Sequence, residues 1–136
     1  MMTRPGGFLK HSIVAGALVL AVLAGSTLAA HHAPILFDRA KKVALTGTVI
    51  EFAWMNPHAS IQIDVTGPAD LKGRWGVEMN SPNNLVKEGW KSTLLKTGDR
   101  VTVVVNPLRT GEHGGIFVSI KLADGRVLGD AWTEKP

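Results

Sequence analysis

The sequence predicts an all-β domain with one short helix, a small five-stranded OB-like Greek-key barrel behind an N-terminal signal-peptide helix. Three observations carry this expectation. Five segments alternate apolar and polar residues with period two, a single helix start separates the third from the fourth, and the first segment is long enough to curve past two neighbours. A β-sandwich is the competing architecture for the same run of strands.

The first strand spans Val43 to Trp54, with Val43, Leu45, Gly47 and Val49 on one parity and Ala44, Thr46, Thr48, Ile50, Phe52 and Trp54 on the other. Asn56-Pro57 ends it, because proline lacks the ladder donor and restricts the residue before it. Ile61, Ile63 and Val65 then alternate with Gln62, Asp64 and Thr66, and Trp75, Val77 and Met79 alternate with Arg74, Gly76 and Glu78. Ser81 is placed to cap a helix over Asn83–Glu88, with Pro82 at its first turn and Gly89 at its end. A turn at Gly98-Asp99 leads into Val101, Val103 and Val105. The fifth strand follows, with Ile116, Val118, Ile120 and Leu122 on one parity, and Asp124-Gly125 turns the chain back into Val127-Leu128.

Ahead of this domain, Arg4 and Lys10 precede a continuously apolar or glycine run from Ile13 to Gly25, too short for a membrane span and shaped like a secretory signal. Small residues at Thr27 and Ala29 place cleavage after Ala29, with cleavage after Ala30 the alternative. The expected organisation is a signal peptide over 1–29, an extended mature segment over 30–42, the barrel over 43–130 and a tail over 131–136. Export would follow the general secretory route to the periplasm or beyond, with no stable membrane anchor after cleavage. Ser26 stands where a lipoprotein signal requires cysteine, and no twin-arginine pair is present.

Composition narrows the function classes. Cysteine is absent, which removes disulfides, thiolate ligands, haem attachment and a cysteine nucleophile. Setting Arg4 and Lys10 aside leaves 13 of the 15 basic residues against 11 acidic ones, a net charge of +2 with no basic stripe. Export and this balance argue against a nucleic-acid partner.

The mature chain resembles the DUF6152 family of short exported bacterial proteins, a domain of unknown function. The residues that carry the resemblance are His31-His32, Leu45-Thr46-Gly47-Thr48-Val49, Asn56-Pro57-His58, Ser81-Pro82-Asn83, Gly89-Trp90, Leu95-Lys96-Thr97-Gly98-Asp99 and Asp124-Gly125-Arg126. The resemblance implies export and a small β-domain, and it brings no catalytic residue with it.

Histidines are the sharpest chemical signal. With Ala30 as mature N-terminus, His32 sits third, where the free amine, two backbone nitrogens and an imidazole suit copper or nickel. With cleavage one residue later, His31 becomes terminal and His32, His58 or His113 would complete a copper site. The plainer explanation is a frayed terminus, with His58 bonded to backbone after its turn and His113 in a glycine-rich hairpin connection. Met55 and Met79 add a weak soft-ligand signal.

Aromatic residues offer a second surface. Trp75 and Trp90 have core placements, whereas Trp54, beside Asn56 and His58, is the candidate contact for an envelope protein, a peptide or a saccharide. For catalysis, Ser81 and Asp99 could join a histidine on paper, but each has a capping or turn role and no nucleophile elbow surrounds Ser81. The sequence therefore favours a non-enzymatic binding module, with copper or nickel binding as the rival.

Overall fold

The structure, a computed structural model, describes residues 36–130. The expected signal peptide, His31, His32 and the 131–136 tail with Trp132 lie outside the described residues. Within them the chain order is β1 (Val43–Ala53), β2 (Ser60–Val65), β3 (Gly73–Glu78), α1 (Pro82–Lys87), β4 (Arg100–Pro107), β5 (Gly114–Lys121) and β6 (Val127–Gly129). β1 pairs antiparallel with both β2 and β4, β2 with β3, and β4 with β5. A parallel contact of β3 with β5 closes the ring. Five strands in this closed order, with the helix between β3 and β4, make the OB-like barrel that the sequence predicts. β6 is a short addition that continues the outer edge of β5 past the point where β3 leaves it.

Inward-facing residues of the alternating segments form the core: Leu45, Ile61, Ile63, Val77, Val103, Val105 and Ile120 are each at most 1% exposed. Full burial of such a side chain contributes about 1.5–3 kcal/mol relative to leaving it in water, so the barrel holds together without disulfides.

Two β-bulges alter the parities read from the sequence. In β1, Val49 faces Ile63 and Glu51 faces Gln62, leaving Ile50 as the extra residue. The inward face therefore passes from Leu45 and Val49 to Phe52 and Trp54, both packed against the core. In β5, Phe117 faces Val105 and Ser119 faces Val104, with Val118 between them. Phe117 consequently packs on the core while Ile116 and Val118 sit half-exposed, which corrects the uniform alternation expected from Ile116 to Leu122.

The helix lies one residue earlier than expected. Ser81 occupies the N-cap position but its side chain makes no capping bond; Asn80 supplies the polar anchor, its Oδ1 accepting the Ser81 N–H at 2.8 Å and the Asn84 amide at 3.0 Å. At the other end of the chain, the Arg126 backbone N–H and then its guanidinium, 2.7 Å from Oδ2, hold the Asp124 carboxyl below its ordinary value. Because the folded value is depressed, any stability from this exposed turn is present above the unfolded carboxylate value and lost as pH falls through the folded one.

The described part of the extended segment packs along the barrel. Phe37 is buried and bridges to Leu108, the Asp38 N–H donates to the Pro107 carbonyl, and the Arg109 N–H donates to the Leu36 carbonyl. Asn106, also buried, ties the same region down by donating to the Lys41 carbonyl at 2.7 Å.

Candidate binding face

The outer face of β2 and β3 continues onto the start of β5, and one row of that face is almost bare of side chains. Gln62 pairs with Gly76 across the β2–β3 ladder, and Gly76 pairs with Gly114 across the closing contact. Leu36, Phe37 and Leu108 border this row on one side and His58, Ser60 and Glu78 at its end, enclosing a groove of ≈ 560 Å³.

The three glycines at this seam have different explanations. A Cβ on Gly114 would press against Leu108 at 2.6 Å, and one on Gly115 would meet Val105 and the Asn106 carbonyl at 2.8 Å. Packing demands glycine at 115, where the clash is with backbone and a branched side chain, whereas at 114 the end of the Leu108 side chain can move aside. A Cβ on Gly76 would meet nothing within 4 Å, and its φ is not positive. Gly67 is also open, but it belongs to the β2–β3 turn, where glycine is ordinary. Gly76 lies inside a strand, where glycine costs about 0.5–1 kcal/mol relative to alanine. Within the fold itself this cost has no compensation.

A second hollow of ≈ 520 Å³ opens beside the first, where β3 and β5 diverge and α1 approaches β6. Its floor is apolar, made by Met79, Leu85, Phe117 and Val118, and its polar lining is His58, Glu78, Asn80, Glu88 and Asp130. His58 and Glu78 line both hollows, so they form the passage between them. The second hollow is not foreseeable from the residues alone, because the Val118 bulge that turns Ile116 and Val118 toward it depends on pairing.

The histidines are separated. His58 Nδ1 lies 3.1 Å from the Met79 carbonyl and 3.9 Å from Glu78 Oε1, an ion pair when the imidazole is protonated. His113 is held at the opposite end of β3: its ring stacks on Trp75 with centroids 4.7 Å apart and an 11° interplanar angle, and its Nε2 lies 3.1 Å from the Asp70 carbonyl. Six residues of strand separate the two ends by about 17 Å. A single ion therefore does not bring these two histidines together, and the expected terminal site would draw on one or the other. No group of three or more metal-ligating side chains occurs among the described residues.

The other candidates are more dispersed. Trp54 is half-buried, edge-on to Phe52 at 5.6 Å, and neither it nor Asn56 lines either hollow. The bulge at Ile50 thus brings one side of the expected contact residue onto the core and leaves the rest accessible. Met79 is buried while Met55 is 59% exposed. Asp99 accepts the Lys96 N–H at 2.9 Å, a turn role with no histidine or Ser81 beside it in that bond. Trp90 is buried among Phe52 and Phe117, and its Nε1 has no hydrogen-bond partner among the described residues.

Fold and site together define an OB-like barrel whose β2–β3 face carries an open, glycine-floored groove. The chain belongs to the DUF6152 family, a family of unknown function whose model matches residues 18–118. No curated protein matches the chain. Among solved structures it is similar to the mitochondrial single-stranded DNA binding protein Rim1 of S. cerevisiae, with a TM-score of 0.46 and 14% identity over 61% of this chain and 93% of that one. It is also similar to a ZRD-deleted mutant of TiaS in complex with agmatine, with a TM-score of 0.45 and 18% identity over 70% of this chain. That match spans only 23% of the second protein.

The stacking on Trp75 gives His113 a structural role. His113→Ala should cost about 1 kcal/mol in urea unfolding and leave copper affinity unchanged; a fall in copper affinity without loss of stability would make it a ligand.

Proposed function

We propose that this protein is an exported, non-enzymatic binding module of the cell envelope that takes its ligand across the outer face of β2 and β3. The observation that carries the reading is Gly76. A strand interior favours branched or aromatic residues, and glycine there marks a place where another molecule comes close to the backbone. Groove walls from Leu36 and Leu108 supply apolar contact, and Gln62, Ser60 and His58 supply hydrogen-bonding groups that set orientation. OB-type barrels present this same face to extended polymers.

The ligand class is an envelope peptide, protein or saccharide rather than nucleic acid. The carboxylates of Glu78, Glu88 and Asp130 around the second hollow repel phosphates, which disfavours a nucleic acid. The sequence-based leader and small-residue cleavage site support the envelope location.

Probing peptide and glycan arrays with the mature wild-type chain and with Gly76→Val tests this reading. Valine suits a strand, so the variant should fold normally while losing roughly ten-fold or more in affinity for whatever the wild type retains. Equal retention by both would remove the face from the account.

A second reading, copper or nickel binding at the mature terminus, rests on His31 and His32 in the sequence. It predicts that His32→Ala lowers copper(II) affinity by at least about a hundred-fold, read by competition with a chromogenic chelator; unchanged affinity would end it.

A further inference from the structure

We infer that the ligand is an extended peptide segment carrying a lysine or arginine, whose cationic side chain enters the hollow beyond Glu78 while an apolar neighbour lies over Gly76. This deepens the proposed binding function and rests on the β2–β3 face being the site. The first support is continuity: a ligand lying over Gly76 has only two strand residues, about 7 Å, to cross before it reaches Glu78 and the second hollow. In an extended peptide, side chains two residues apart share a face at the same spacing, so an apolar-x-basic triplet matches the surface.

Charge gives the second support. Glu78, Glu88 and Asp130 line the hollow, and among the described residues no lysine or arginine does, on a chain whose basic residues still outnumber its acidic ones by 13 to 11 with Arg4 and Lys10 set aside. The side chains of Glu88 and Asp130 make no hydrogen bond or ion pair among the described residues, and Glu78 has only His58, at 3.9 Å. Carboxylates left unneutralised around one opening favour a positively charged occupant.

The floor is the third support, and it distinguishes a side chain from a free cation. Ile116, Phe117 and Val118, each half-exposed, offer apolar surface beside the carboxylates. A long basic side chain lays its methylene stem on such a surface and keeps its charged end at the polar rim. A bare metal ion would leave that floor unused, and a neutral sugar would leave the carboxylates unpaired.

The test uses the mature chain, labelled with ¹⁵N, and a nonapeptide blocked at both ends that places Leu-Ser-Lys in a Gly/Ser background. Its control carries glutamate in place of lysine. The lysine peptide should shift the amide signals of Gly76, Gly129 and Asp130, and its affinity should fall about ten-fold in the Glu88→Gln/Asp130→Asn double variant and again at high salt. Both substituted side chains are exposed and have no side-chain partner among the described residues, so the fold is retained. Equal shifts from the glutamate peptide, or no change in the double variant, would overturn the charge assignment. If neither peptide binds but a saccharide does so in a Gly76-dependent way, the basic peptide is wrong and the binding face stands. If the lysine peptide binds wild type and Gly76→Val alike, the face itself is wrong.

Discussion

Closure of β3 onto β5 is the constraint on which the rest of this molecule depends. Three paired residues make that contact, from Gly76 with Gly114 to Glu78 with Ile116, reinforced by the Gly76 N–H donating to the His113 carbonyl at 3.2 Å. β5 begins with two glycines here, Gly114 beneath Leu108 outside the barrel and Gly115 against Val105 and the Asn106 carbonyl of β4. Without the closure, β3 and β5 would be free edges and the core between them would be open to water. The brevity of the contact matters equally. Once β5 leaves β3, α1 and Trp90 must cover the gap, and the shallow space that they leave is the second hollow.

Functional consequences follow from the same seam. Its outer surface is flat because neither Gly114 nor Gly76 carries a side chain, and at 76 nothing inside the fold requires glycine. Stability alone would favour a larger residue at 76. The cost is tolerable in a domain whose core is well filled, and a ligand that uses the space would offset it. The histidines enter this arrangement unequally: His113 braces the β2–β3 turn through Trp75, whereas His58 stands in the passage between the two hollows.

Much of the fold was legible because period-two alternation is a local property. Ile61/Ile63/Val65, Trp75/Val77/Met79 and Val101/Val103/Val105 each face inward as their spacing predicts. Bulges are not local, since an extra residue is defined only against a partner strand. This is why Trp54, expected as an exposed contact, is half-buried against Phe52, and why Ile116 and Val118 were expected inside and line a hollow. The helix start was visible in Ser81-Pro82, but the choice of Asn80 as the anchoring side chain depends on the turn leaving β3. Among the site residues, His58 could be found from its turn, and Gly76 could not: a glycine without a packing reason is recognised only when the space around it is known.

The most direct measurement compares the stabilities of Gly76→Ala and Gly115→Ala by urea unfolding. If Gly76 serves a ligand rather than the fold, its alanine variant should be as stable as wild type or more stable by about 0.4–1 kcal/mol, while Gly115→Ala should lose about 1–3 kcal/mol through overpacking against Val105. A loss at Gly76 as large as that at Gly115 would show that the fold itself demands this glycine, and would contradict the account.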